Sequence, residues 1–439
     1  DLPGTGHRGH GDRHAAHVDR PAEVADEPPV NPRSEVLTVA GPLDGFRILD
    51  LSQIVSGPFG SMLLSDQGAD VIKVEPVDGQ DVTRRQNFAR GGLSAFVLTG
   101  SRGTRSAEPD LTRDEGRAIL LELASEADVF IQNFRPGACD RLGIGYDDVR
   151  AVNPEVVYVS ISGYGPDGPY AGRPVLDPVI QGLTGMVAHQ VNPDIPFPDL
   201  VRNIVSDKAT ALTVAQATTA ALLARERGAG GQHVVVPMLD STLAFFWNDG
   251  MVAHTLPGDG VSPGRTLAEV YQLTDCVDGQ LIYFAASTAH IHGISRAVGH
   301  PEWCDDPRYS LEGFVEDQQN HIDFGVMTVE AFATMTVADA LAGLLEADVP
   351  SGPILEKEEV LEHPQVVHNE AITTWEHPTA GTVRSARPGA RFSGTPVEMR
   401  LSASHKGADN REVLRGAGRS DAEIDRLLAD GVIGEPDPF

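Results

Sequence analysis

An aspartate at the head of a small-residue helix is where this chain first suggests chemistry. Asp207 lies in Ile204-Val205-Ser206-Asp207-Lys208-Ala209-Thr210-Ala211-Leu212, and Gly228-Ala229-Gly230-Gly231-Gln232 closes the helix behind it. A carboxylate in that place has two readings. It caps the helix, because Ser and Asp satisfy the free N–H groups of a first turn, or it is a nucleophile for an activated acyl carbon, kept ionised at pH 7 by the positive end of the helix. Local sequence by itself favours the cap.

Ser56-Gly57-Pro58 follows a short apolar strand. A Gly-Pro pair at a helix start leaves N–H groups aimed at the strand ends, where an anion or a thioester oxygen can be held. The backbone around Val55, Ser56 and Gly57 is therefore the expected oxyanion site. It lacks the spaced glycines of a dinucleotide turn, which argues against NAD. Lys73 and Glu75 read as a structural ion pair at the end of the next strand. Cys139, Cys276 and Cys304 form no metal-type cluster and cannot all pair, which fits a reducing cytoplasm. His7, His10, His14 and His17 have no framework of other ligands, so no metal site is expected.

These residues need a scaffold. Strand-like apolar segments at 46–52, 70–75 and 156–161 alternate with helical patterns at 57–67 and 114–127, and 128–131 adds another apolar run. That alternation predicts an α/β fold with a mostly parallel sheet covered on both faces. After Asp207, Ala211, Leu212, Ala215, Leu222 and Leu223 keep helical spacing, the alanines allowing close packing, until Gly228 stops the helix. A strand at 233–236 and a helix at 239–247 follow. Gly, Pro and Asp mark 257–264 as a linker, and 281–286 with a helix at 340–347 suggest a smaller α+β domain.

Over 439 residues, 34 basic side chains oppose 63 acidic ones, a net charge of −29. Such a balance excludes nucleic acid and an anionic membrane as partners. An anionic ligand would need a locally basic pocket. No apolar run reaches spanning length and no signal-type core precedes residue 41, so a cytoplasmic protein is expected. Residues 1–35, rich in Gly, Pro, His and charge, read as a disordered extension.

Further segments carry a family likeness: Gly68-Ala69-Asp70-Val71-Ile72-Lys73-Val74-Glu75, Gln132-Asn133-Phe134-Arg135-Pro136-Gly137, Asp140-Arg141-Leu142-Gly143, Asn153-Pro154 and Ser160-Ile161-Ser162-Gly163-Tyr164-Gly165. With Ser56-Gly57-Pro58 and Asp207 they make residues 41–396 resemble the class III coenzyme A transferases, a family that includes formyl-CoA and carnitine CoA transferases and α-methylacyl-CoA racemases. The resemblance implies a Rossmann-like large domain built from both chain ends, 36–245 and 356–439, with a linker at 246–265 and a small domain at 266–355. It also implies an interlocked homodimer. The substrates would be an acyl-CoA and a carboxylic acid, with no tightly bound cofactor.

The likeness makes Asp207 the nucleophile, forming a mixed anhydride and then an aspartyl-CoA thioester. Val55 and Ser56 would line the CoA site. Asn133, Phe134 and Arg141 would meet its adenosine end, where an amide and an aromatic face suit a purine and Arg suits phosphate. The bland readings of these three are a strand-end cap, a core aromatic and a solvated cation. Arg105 stands in a basic loop as Gly103-Thr104-Arg105-Ser106, without the lysine its relatives carry before the arginine, and Thr112 replaces a second lysine beside Arg113. Racemases place a His-Asp pair where this chain has Leu176-Asp177, and leucine cannot move a proton. Racemization therefore ranks below transfer, and Asp177 is a structural carboxylate or a minor site residue. A non-catalytic acyl-CoA-binding protein is the other alternative. Val55 stands where formyl-CoA transferases have glutamine.

Overall fold

The computed structural model describes residues 41–436 apart from 80, 86–87, 191–197, 263, 398 and 401–402. The N-terminal extension and its four histidines lie outside the described residues. Six strands, β1 (Arg47–Asp50), β2 (Asp70–Val74), β3 (Thr104–Ala107), β4 (Val129–Gln132), β5 (Val157–Ser162) and β6 (Gln232–Pro237), form one sheet in the order β3-β2-β1-β4-β5-β6. Every neighbouring pair is parallel. This is the doubly wound order, in which the chain builds outward from β1 on one side, then returns to continue from β4 on the other.

Side-chain alternation explains why the strands read as unbroken apolar runs. Leu49, Ile72, Phe130 and Tyr158 face one layer, while Ile48, Val71, Val129, Ile131 and Val159 face the other. Successive strand residues point to opposite faces, so both must be apolar when both are covered. The first layer is filled by α2 (Asp114–Ser125) and by Leu414, Ile424, Leu427 and Val432 from the end of the chain. The second is filled by α1 (Ser56–Ser65) and α4 (Val205–Ala224), with α3 (Asp177–Leu183) leading into α4 and α5 (Met238–Gly250) following β6.

α4 carries the small-residue face expected of it. Gly60 of α1 lies against it so closely that a Cβ there would come within 2.9 Å of Val214 Cγ1 and 3.2 Å of the Ala211 carbonyl. Leu212 and Leu223, counted with that face in the sequence, are instead half exposed. The helix gives way to a π-helical turn at Arg225–Ala229 in which Gly228 takes φ +91, so the stop comes where glycine permits it.

Elsewhere, strands Thr274–Cys276, Gly279–Tyr283 and Ser351–Pro353 make an antiparallel sheet against helices Thr288–Ala297, Gln318–Phe332 and Val337–Glu346. Leu281, Ile291, Phe332 and Leu344 are buried in this second core. A hairpin, Ile372–His377 with Gly381–Ala386, sits on helix Ala95–Gly100 through Val383, Val97 and Leu98. No helix among the described residues is long and apolar enough to cross a membrane.

Candidate active site

A doubly wound sheet opens a crevice at the carboxyl ends of its strands where the winding reverses, here between β1 and β4. The turns leaving those two strands are stitched together. Asn133 Nδ2 donates to the Gln53 carbonyl at 2.7 Å, and the Gln53 N–H donates to Asn133 Oδ1 at 2.8 Å. The next residue, Ile54, has φ +71, a left-handed conformation that costs a β-branched residue about 1–3 kcal/mol and needs external support. Asp81 supplies it by accepting the Ile54 N–H at 2.6 Å, while its other oxygen is held by the N–H and hydroxyl of Thr83. The turn therefore presents Val55 and Ser56 in a fixed orientation, and both are buried.

Asp207 faces that turn. Its carboxylate lies near enough to the Ser56 N–H to be stabilised by it, which brings the two sequence features together across 151 positions of chain. The capping reading of Asp207 is corrected: α4 begins at Val205 after an Ile204 that makes no side-chain cap, and the capping carboxylate is Asp177. Asp177 Oδ2 accepts the Asp207 N–H at 2.9 Å and Oδ1 accepts Gln181 Nε2 at 2.6 Å. Gln181 in turn accepts the Val201 N–H and donates to the carbonyls of Val201 and Asn203, fixing the approach to α4. The carboxylate at the start of α3 and the glutamine four residues on were a readable signal, since that spacing puts both on one helix face.

Ionisation of Asp207 also differs from expectation. Burial, and secondly the Asp177 charge beside it, push its pKa up to about 7 against the opposing Ser56 N–H. Desolvation and a like charge outweigh the end of one helix. At neutral pH the site holds both the acid and the carboxylate.

Other site residues divide. Phe134 is half-buried with its N–H held by Gln132 Oε1 at 2.8 Å, and Arg141 is exposed with no ion pair among the described residues. Both polar atoms of Asn133 are spent on Gln53. Arg105 is not brought to the crevice: its segment is strand β3, not a loop, and its guanidinium grips Asp70 at 2.6 Å and Glu412 at 3.1 Å. Asp70 opens β2, so this cluster sits at the amino end of the sheet, opposite the crevice. Lys73 and Glu75 are not a pair either. Lys73 reaches Asp50 at 3.3 Å and the Ser52 carbonyl, whereas Glu75 takes Arg84 in a two-point contact of 2.6 Å each. Both are buried, where each charge needs a close partner.

The sequence profile of CoA-transferase family III matches residues 43–410. The succinyl-CoA:glutarate CoA-transferase of Mus musculus is 30% identical over 401 residues, spanning 89% of this chain and 90% of its own. The acetyl-CoA:oxalate CoA-transferase of Acetobacter aceti is 32% identical over 336 residues, 74% of this chain and 84% of its own. A crystal structure of a CAIB/BAIF family protein from Brucella suis superposes with a TM-score of 0.72 at 29% identity, covering 86% of this chain and all of that one. With its parallel sheet, its crevice and this similarity along its length, the chain belongs to CoA-transferase family III. It is accordingly an enzyme of CoA transfer, with acyl-CoA as substrate.

Proposed function

We propose that the protein transfers CoA from an acyl-CoA to a free carboxylic acid with Asp207 as nucleophile. The observation that carries this reading is a buried carboxylate poised on the Ser56 N–H at the crevice of the sheet. The ionised Asp207 attacks the thioester carbonyl, forming an anhydride and releasing CoA thiolate. The thiolate attacks the aspartyl carbonyl, forming an aspartyl-CoA thioester and freeing the donor acid. The acceptor carboxylate then attacks that thioester, and the expelled thiolate takes the acceptor's acyl group, restoring Asp207. N–H groups of the Val55 to Gly57 turn stabilise the oxyanions. Phe134 and Arg141 hold the nucleotide end of CoA, with Asn133 acting through the turn it stitches. Arg105 has no part in this.

The same reading takes residues 266–355 as a small domain and the protein as a cytoplasmic interlocked homodimer. Support comes from the separate core around Phe332 and Leu344, and from the exposed apolar side chains of Trp247 on α5 and of Tyr271 and Leu273 beyond it. Hydroxylamine added during turnover should trap the activated Asp207 carboxylate, identified by mass on its peptide, and Asp207→Ala should fold, bind CoA and lose at least about 10³-fold in kcat. Rapid enzyme-dependent deuterium uptake at the α-carbon of a 2-methylacyl-CoA, with no trapped adduct, would instead establish a racemase.

A further inference from the structure

A cavity of about 580 Å³ opens beside Asp207 without including it, bounded by the residues on either side of the Ser56–Asp207 contact. Val55 closes it from the β1 turn, and Ile204 and Lys208 from the start of α4. Its body is apolar: Phe59, Met62 and Leu63 come from α1, Phe96 and Val97 from helix Ala95–Gly100, and residues 385–389, the end of the hairpin and the segment after it, close the far side.

The charged groups on its wall are few and unequal. Asp66 is neutralised by Arg102, which makes contacts of 2.9 and 2.5 Å to its two oxygens. Arg387 spends its guanidinium on the carbonyls of Pro388 and Asn369. Lys208 has no acidic partner among the described residues, and the contact its ammonium makes is to Asn203 Oδ1 at 2.8 Å. The cavity thus offers a hydrocarbon surface with Lys208 at the end nearest Asp207 and Arg387, its guanidinium held by backbone carbonyls, on the far side.

We propose that this cavity binds the acyl group and the acceptor acid, and that the preferred acids are monocarboxylates with a bulky hydrocarbon body, aliphatic or aryl, rather than oxalate, formate or short dicarboxylates. The inference rests on the transferase reading for its chemistry and on the cavity for its selectivity. Lys208 draws the carboxylate toward Asp207, and the body replaces water against Phe59, Met62 and Phe96. A compact diacid would leave much of that apolar wall wet and set a second carboxylate against hydrocarbon at a desolvation cost. Small acids gain little there, because the hydrophobic contribution grows with the apolar area removed from water.

Gly100 gives a direct test. It lines the cavity, and a Cβ on it would meet only Phe96 Cδ1, at 4.0 Å, so a larger side chain enters the space without striking backbone. Octanoate, 3-phenylpropionate, oxalate and glutarate are titrated calorimetrically into the full-length Asp207→Ala protein, and wild type is assayed for transfer to the same acids and to acetate. Expected are affinities at least tenfold tighter for octanoate and 3-phenylpropionate than for either diacid, and in Gly100→Phe a fall of at least tenfold in the octanoate-to-acetate ratio of kcat/KM. If Gly100→Phe does not fold, Phe96→Ala, which widens the same wall, should shift the preference toward longer chains. Wild type that prefers oxalate or glutarate, or variants in which the ratio does not move, overturn the proposal and leave the transferase reading intact. Tight hydrocarbon-acid binding without transfer or a trapped adduct for any acid overturns the transferase reading and leaves the cavity assignment standing.

Discussion

As the proposed nucleophile, Asp207 is held in mid-titration at neutral pH by its own surroundings. Burial and Asp177 raise its pKa to about 7, so the reactive carboxylate forms as pH rises through that value. Initial-rate kcat/KM should therefore climb through an apparent pKa near 7. Asp177→Asn, which removes the charge but keeps an oxygen for the Asp207 N–H, should move that limb toward the ordinary carboxylate range, without reaching it because burial is the larger cause. A profile unmoved by Asp177→Asn would show that the charge does not govern the nucleophile. Stability follows the opposite sign. The folded pKa is raised from 3.8, so the contribution of this group is greatest below pH 3.8 and is lost as pH rises toward and through 7. Asp207→Asn should accordingly raise the thermal midpoint by a few degrees at pH 8 and hardly at pH 4, read by calorimetry.

Among the elements, the turn between β1 and α1 is the part most constrained for its function. Ile54 would not hold φ +71 unaided; Asp81, Asn133 and the Lys73 contact to the Ser52 carbonyl hold the turn in place. Asn133→Ala distinguishes a stitch from a ligand contact. As a stitch, its loss leaves the Gln53 N–H and carbonyl without partners, lowering unfolding free energy by about 1–3 kcal/mol and reducing kcat by roughly tenfold or more as the Ser56 N–H drifts. A rise in KM for acyl-CoA at unchanged stability and kcat would make it an adenine contact instead. α1 depends on a similar closeness, since a Cβ on Gly57 would fall 2.0 Å from Ser52 Oγ.

For the whole molecule, a separate antiparallel core and a hairpin lie along a chain whose last two helices, Asn410–Gly416 and Asp421–Ala429, return to the first sheet layer. Phe245, Trp247, Tyr271, Phe284 and Leu273 are exposed on a single chain. An interlocked dimer would cover them. Two differently tagged preparations mixed under native conditions should form no hybrids over hours and should form them after unfolding and refolding. Rapid native exchange would rule interlocking out.

Periodicity and turn chemistry are local properties, so the sequence by itself determined the strands β1, β2, β4 and β5, the helices α1 and α2, the stop at Gly228 and the position of Asp207 at a helix start. Burial on both faces writes itself into consecutive residues, and that is why Ile48 to Asp50 or Val129 to Ile131 are legible without coordinates. Charge partners and cavities are made by residues far apart in the chain, through forces that act over a few ångströms of space. Only the tertiary structure could assign Lys73 to Asp50, Glu75 to Arg84 and Arg105 to Asp70, turning expected ligands and pairs into supports. It alone set the proton affinity of Asp207, because the burial that raises it, and the carboxylate thirty residues earlier that adds to it, are made by the fold, and it alone assembled an apolar cavity from separated segments beside Lys208.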